Sequence, residues 1–217
     1  TRQEADESWE TFEKKVVERL AELGVFRAKT IAAHCVHVDS EEIRLLHKHG
    51  VAVAHNPTSN LKLASGIAPI KEMLERGVRL SVGTDGAASN NDLDMFEEMR
   101  LAALLVKGAT YDPTALPARE ALLMATRWGA EALHLGDITG SLVAGKRADL
   151  IVVDLQKPHL TPLYEPLSHL VYAARGSDVR HSIIHGRLVM EDRQLLTLDI
   201  GEVMKQARRL SRRKDPC

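Results

Sequence analysis

The residue best placed to do chemistry is an aspartate, Asp85, in the run L-S-V-G-T-D-G-A-A-S-N-N from Leu80 to Asn91. An alternating apolar stretch ends at it, and three small residues, a serine and two asparagines follow. A lone carboxylate where a buried strand opens into a polar loop is a common place for a catalytic or metal-binding group in an α/β barrel. The competing reading is a helix cap, for which Asn91 or Asp92 stands nearer the helical pattern that opens at Leu93. Two earlier strand-like runs also end in polar residues. T-I-A-A-H-C-V ends in His34 and His37, and Val51–Ala54 delivers His55, Asn56 and Pro57. One strand-end histidine reads as a structural residue, whereas three successive runs ending this way point to a shared face.

The elements that must position these residues follow from apolar spacing. Residues 4–23 place Trp9, Phe12, Val16, Val17, Leu20 and Leu23 at helical intervals, with Gly24 as the stop. A strand over 29–36 precedes a helix over 40–49, with Ser40 as N-cap and Gly50 beyond its end. A strand over 51–54, a polar loop over 58–66 and a helix over 69–76 lead to the strand over 78–83 that delivers Asp85. A helix over 92–107 follows, its apolar face read as Leu93, Phe96, Met99, Leu101 and Leu104. Strand–helix alternation with short loops requires parallel strands and crossover helices.

Beyond Gly108 a helix over 117–135 leads into β-rich runs over 140–155 and 179–190, the second turning at His185-Gly186. A terminal amphipathic helix spans 200–213. The expected architecture is α/β: the last three βα units of a (β/α)8 TIM-type barrel, plus a small β subdomain and a terminal helix. The expected division is 1–137 for the partial barrel and 138–217 for the subdomain.

Bulk properties bound the partners. With 217 residues and 44% hydrophobic content the chain buries a real core, and its net charge of −1 argues against nucleic acid. The one cationic cluster, Arg208, Arg209, Arg212, Arg213 and Lys214, reads as a solvated terminal helix. Cys35 and Cys217 make no disulfide framework, so the cytoplasm is the default compartment, and no apolar run approaches a membrane span. Cys35 reads as a small core residue, and Trp128 and Met124 as core.

Three motifs together carry a family resemblance: A-H-C-V-H at 33–37, H-N-P-T-S-N-L-K-L-A-S-G at 55–66 and G-T-D-G-A-A-S-N-N-D-L-D-M-F-E-E-M-R at 83–100. With G-S-L-V-A-G-K-R-A-D-L-I-V-V-D at 140–154, they resemble the C-terminal part of the amidohydrolase superfamily. The branch is that of the 5-methylthioadenosine/S-adenosylhomocysteine deaminases. The resemblance implies one divalent metal, zinc first with Fe2+ or Mn2+ as alternatives, held by an H-x-H pair, a fifth-strand histidine and an eighth-strand aspartate. Asp85 takes the place of that aspartate, as metal ligand and proton acceptor, and His34 holds or orients the attacking water. Ser89 falls where the family contacts the base of its substrate, and His55, Asn56 and Asn60 line the seventh-strand loop; His55, Asn60 and, from its place beside Ser89, Asn90 are expected to bind substrate with it. The implied reaction is hydrolytic deamination of an adenine nucleoside to the inosine analogue and ammonia.

The chain departs from that pattern in two respects. It contains no strand-borne H-x-H, because His47-Lys48-His49 lies at a helix end, and its opening T-R-Q-E-A resembles the stretch that follows the family's fifth-strand H-x-x-E, so that histidine and glutamate are expected upstream of Thr1. The expectation is a fragment keeping one of four protein ligands and inactive alone, since a catalytic zinc takes three protein ligands and an open position. An s-triazine hydrolase or guanine deaminase, and a non-catalytic remnant, are the alternative readings. Small-molecule nucleosides are the expected partners, with neither nucleic acid nor membrane, and a homo-oligomer is left open for the full-length protein.

Overall fold

The computed structural model describes residues 1–211, so Cys217 and the cationic residues Arg212, Arg213 and Lys214 lie outside the described residues. Helix α1 (Arg2–Phe12) is capped by Thr1 and Glu4 in a capping box, and α2 (Val16–Glu22) follows. The single helix expected over 4–23 is therefore two. Glu13 turns into the left-handed region at φ 51°, its N–H still donating to Trp9 O, and Lys15 restarts the chain from extended backbone.

Three parallel strands form the first sheet, in the order β1 (Ile31–Ala33), β2 (Ala52–His55), β3 (Arg79–Val82). Their register pairs Ala33 with Ala54 and His55 with Val82, so the polar residues after each strand emerge at one end. β1 is shorter than expected because His34 and Cys35 take φ of 66° and 47°, which ends the extended run. The first crossover is α3 (Ser40–Lys48), whose N-cap is Asp39 rather than Ser40. Asp39 accepts from Glu41 N and Glu42 N, and Glu42 returns a carboxylate to Asp39 N, a capping box that the shorter serine side chain does not make here.

The second crossover holds α4 (Pro57–Lys62) and α5 (Ile70–Glu75). The stretch 58–66 is thus largely helix, not loop: Pro57 at the first helical position presets φ and needs no N–H partner. After β3 come a one-turn helix, α6 (Ala87–Asn90), and α7 (Met95–Thr110), capped by Asp94 rather than Asn91 or Asp92. The buried side of α7 is Phe96, Glu98, Met99, Ala102, Ala103 and Val106, while Leu104 is exposed and Leu93 precedes the helix. The small alanines let α7 lie close on the sheet, which an apolar count weighted to leucines overlooks.

The helix expected over 117–135 breaks at Thr126 (φ −129°, ψ −99°) into α8 (Ala118–Ala125) and α9 (Arg127–Ala132). A second, antiparallel sheet follows, from β4 (Leu150–Val153), with α10 (Pro166–Tyr172) on the connection and then β5 (Val179–Ile184), β6 (Arg187–Glu191) and β7 (Gln194–Leu195). β5 and β6 are joined at His185 and Gly186, both at positive φ (51° and 75°), the geometry of a two-residue hairpin turn. The last described element is α11 (Ile200–Ser211), with no buried residue. No helix among the described residues is long and apolar enough to cross a membrane.

The core lies between one face of the parallel sheet and its helices. Val53, Leu80, Leu46, Met73, Ile43 and Met124 are buried there, and α10 adds Val171 from beyond the first sheet. The other face of that sheet, with Ile31, Ala54, Ser81 and Gly83, lines a groove of about 830 Å3 shared with Leu142, Ile151 and Ile184.

Candidate active site

The loops after β1, β2 and β3 converge, and each brings one part of the site. Gly83 closes β3 with its Cα facing the Asn56 side chain: a Cβ there would stand 2.7 Å from Asn56 Oδ1, so glycine is required for the close approach. The chain then turns at Asp85, which holds φ at 61°, a conformation that aspartate tolerates better than most residues. One carboxylate oxygen of Asp85, Oδ2, accepts two hydroxyls, Ser59 Oγ from α4 and Ser89 Oγ from α6, each at 2.7 Å. Oδ1 receives neither. Those two bonds, then the backbone N–H of Gly86, hold the Asp85 carboxyl down to about 2, so it is ionised throughout the neutral range.

His34, after β1, is the second part. Its Nδ1 lies 2.7 Å from Asn60 Oδ1, and an amide oxygen only accepts, so Nδ1 carries the proton in this amide assignment. In the neutral ring Nε2 bears the lone pair, and it faces Asp85 Oδ2 at 3.8 Å. Two acceptors that face one another cannot bond directly. Both line a groove of about 640 Å3 whose walls include Val17, Leu20, Phe26, Ile31 and Leu63.

His55, Asn60 and Asn90 are set behind these groups. His55 is 1% exposed, and burial, with the nearby His34 second, pushes its imidazole down to about 4. Neither of its ring nitrogens has a partner. Asn60 is buried and turns its oxygen to His34. Asn90 is buried and makes three bonds: Nδ2 donates to Thr84 O at 2.8 Å and to Glu98 Oε1 at 2.5 Å, while Oδ1 accepts from Leu93 N at 3.0 Å. Of the expected set, Asp85, His34 and Ser89 meet directly or through Asp85; Asn60 joins through His34, and His55 lies beside them without a bond. His37 instead pairs with Ser65 O at 2.7 Å. Cys35 has its thiol pushed up to about 12 by burial and then by the Glu42 carboxylate, as suits an inert core residue.

Ser59 and Glu98 escaped the sequence reading. Ser59 lies within a quoted motif but carried no signal of its own. Glu98 did carry one: it stands four residues before Ala102 and eight before Val106, in register with the buried side of its helix.

A metal set requires more than this. Among the described residues no group of three or more His, Cys, Asp or Glu side chains is arranged to hold an ion. Asp85 offers one oxygen that takes neither serine hydroxyl, and His34 offers Nε2 only on a ring already committed to Asn60. As a donor set this fits one wall of a metal site and not a closed one.

The family model described as the amidohydrolase family matches residues 3–189. A 5-methylthioadenosine/S-adenosylhomocysteine deaminase of Syntrophobacter fumaroxidans is 54% identical over 213 residues, covering 98% of this chain and 49% of the relative. A 5'-deoxyadenosine deaminase of Methanosarcina mazei is 52% identical over 200 residues, covering 92% of this chain and 46% of the relative. Among solved structures, an adenosine deaminase from Xanthomonas campestris with bound zinc superposes with a TM-score of 0.95 at 42% identity, over 98% of this chain and 48% of that one. An atrazine chlorohydrolase from Arthrobacter aurescens complexed with zinc gives 0.86 at 30% identity, over 95% of this chain and 46% of that one. The chain spans about half the length of the curated relatives it matches. It belongs to the amidohydrolase family.

Proposed function

We propose that this chain supplies the proton-accepting wall of a metal-dependent deaminase that converts adenine nucleosides, 5-methylthioadenosine, S-adenosylhomocysteine or adenosine, to their inosine analogues and ammonia. The observation that carries the reading is the pair of convergent acceptors, Asp85 and the Nε2 of His34, which face one another and line one apolar groove. A group of this kind takes a proton from whatever donor sits between them. Asp85 is the acceptor that stays charged, and His34, fixed by Asn60, orients the donor. Ser89 exchanges its Asp85 bond for a substrate contact, while His55, Asn60 and Asn90 act from behind as supports.

The oxygen of Asp85 that takes neither serine hydroxyl fits one ligand position for a divalent metal, zinc first because the similar deaminase and chlorohydrolase were crystallised with it. A bound metal of that kind supplies the acidity that makes water nucleophilic near neutrality. Its remaining ligands are absent from the described residues, so this chain alone is proposed to be inactive. We place a partial barrel, its last three βα units, at 1–137 and the β-rich subdomain at 138–217, in a cytoplasmic enzyme acting on small molecules. The higher TM-score and identity to the adenosine deaminase rank nucleoside deamination above triazine hydrolysis. The test is a full-length protein containing this sequence, loaded with zinc and assayed by the loss of adenosine absorbance. Ammonia released in step with that loss supports the reading, and zinc-replete protein inert towards all three nucleosides overturns it.

A further inference from the structure

Helix α7 carries a carboxylate that the proposed chemistry does not use. Glu98 is 0% exposed, and no cation pairs with it among the described residues. Burying a charge without a counter-ion is costly, and the cost is offset only where hydrogen bonds replace its lost water. Two such bonds are present. Asn90 Nδ2 donates to Oε1 at 2.5 Å, and the backbone N–H of Thr58 donates to Oε2 at 3.3 Å.

Those donors belong to the two segments that grip Asp85. Thr58 precedes Ser59 in the first turn of α4, and Asn90 follows Ser89 at the end of α6. Ser59 and Ser89 are the two hydroxyls that converge on Oδ2 of Asp85. Lys62 ties the same two helices together near the surface, its Nζ donating to Ala88 O at 2.7 Å and to the Asn91 side chain. Glu98 is the only one of these ties that reaches both segments from a third element.

We propose that Glu98 is a positioning residue: by accepting from Thr58 and Asn90 together, it sets α4 and α6 at the separation that brings both serine hydroxyls onto one oxygen of Asp85 and keeps them off the other. Both groups facing Glu98 are donors, so both of its oxygens must accept. A carboxylate meets that requirement and a glutamine does not, since its amide nitrogen would face one donor or the other. Asn90 cannot turn to compensate, because its amide is already held by Thr84 O and Leu93 N. The consequence for turnover rests on the function proposed above; the consequence for geometry does not.

The test begins with crystal structures of this chain and of Glu98→Gln. The expected result is retention of the parallel sheet and its core, with at least one of the Ser59 and Ser89 hydroxyls moved beyond 3.5 Å from Asp85 Oδ2, against 2.7 Å for both with Glu98 in place. Both hydroxyls remaining on that oxygen in Glu98→Gln would overturn the proposal. If Glu98→Gln does not fold, Asn90→Ala, which removes one arm and keeps the carboxylate, is expected to release Ser89 while Ser59 stays bound, and an unchanged Ser89 contact overturns it. In a full-length protein containing this sequence, Glu98→Gln is expected to lower kcat about 10- to 100-fold with KM within about threefold, the range seen when groups that orient a ligand are removed. Unchanged kcat overturns the proposal. A full-length protein that deaminates nothing, with the hydroxyls displaced in Glu98→Gln, leaves Glu98's role standing and removes the proposed reaction.

Discussion

The two sheets of this molecule use strands of similar length to opposite effect. In the parallel sheet Val53 and Leu80 are sealed beneath helices, and the candidate site is gathered from the end of β2 and from the loops and short helices that follow β1, β2 and β3. In the antiparallel sheet Ile151, Val152 and Ile184 are exposed, and no site residue is present. Parallel strands need crossover helices, and those helices bury one face and aim all strand ends the same way. A hairpin sheet needs neither, so it can be left with both faces partly bare. Precision of the site thus follows from the element that had to be covered.

That contrast can be broken in graded ways. The largest effect belongs to the parallel half: in a full-length protein containing this sequence, Asp85→Asn is expected to reduce deamination by on the order of a thousandfold or more, read from adenosine absorbance at saturating zinc. Turnover within a few-fold of the unsubstituted protein would remove Asp85 from the chemistry. Next, Leu80→Ala on β3, at 1% exposure, should cost about 3 kcal/mol in urea unfolding, since it leaves a cavity that rigid neighbours cannot fill. A loss below about 1 kcal/mol would mean that the covered face is not the rigid one.

Burial of His55 gives a pH dependence of similar size. Its folded pKa, about 4, lies below the ordinary 6.5, so the unfolded chain binds more protons between those values and stability falls as pH drops from about 6.5 towards 4. The full loss from this group is at most about 3.4 kcal/mol, at 1.36 kcal/mol per pKa unit. His55→Gln should flatten that part of the curve, measured by urea titrations at pH 7 and 4.5; an unchanged slope would assign it to other groups. Smallest of all, Ile184→Thr at the exposed turn end of β5 should change stability by no more than about 0.5 kcal/mol. A loss of 2 kcal/mol there would erase the distinction between the sheets.

What the sequence made legible follows the same division of causes. Local chemistry was readable: the run to Asp85, the stops at Gly24 and Gly50, and the His185-Gly186 turn each depend on a few adjacent residues. Helix breaks at Glu13 and Thr126 were not, because nothing in either residue type forbids a helix; surrounding packing and competing hydrogen bonds decide them. Of the site, Asp85 and His34 stood out by type and position. Their supports did not, since Ser59 reaches Asp85 across 26 residues and Thr58 reaches Glu98 across 40. Asn90 is expected to bind substrate from its place beside Ser89; its three internal bonds, to Thr84, Leu93 and Glu98, are not announced by any local pattern.

On the function proposed here, this chain is one wall of a metal-dependent site and not the whole of it. Zinc content per chain, measured together with adenosine deamination on the 217-residue protein purified as it stands, tests this directly. Zinc well below one per chain and no ammonia are expected. One zinc per chain with steady turnover would contradict that reading, and would mean that groups outside the wall described here complete the site.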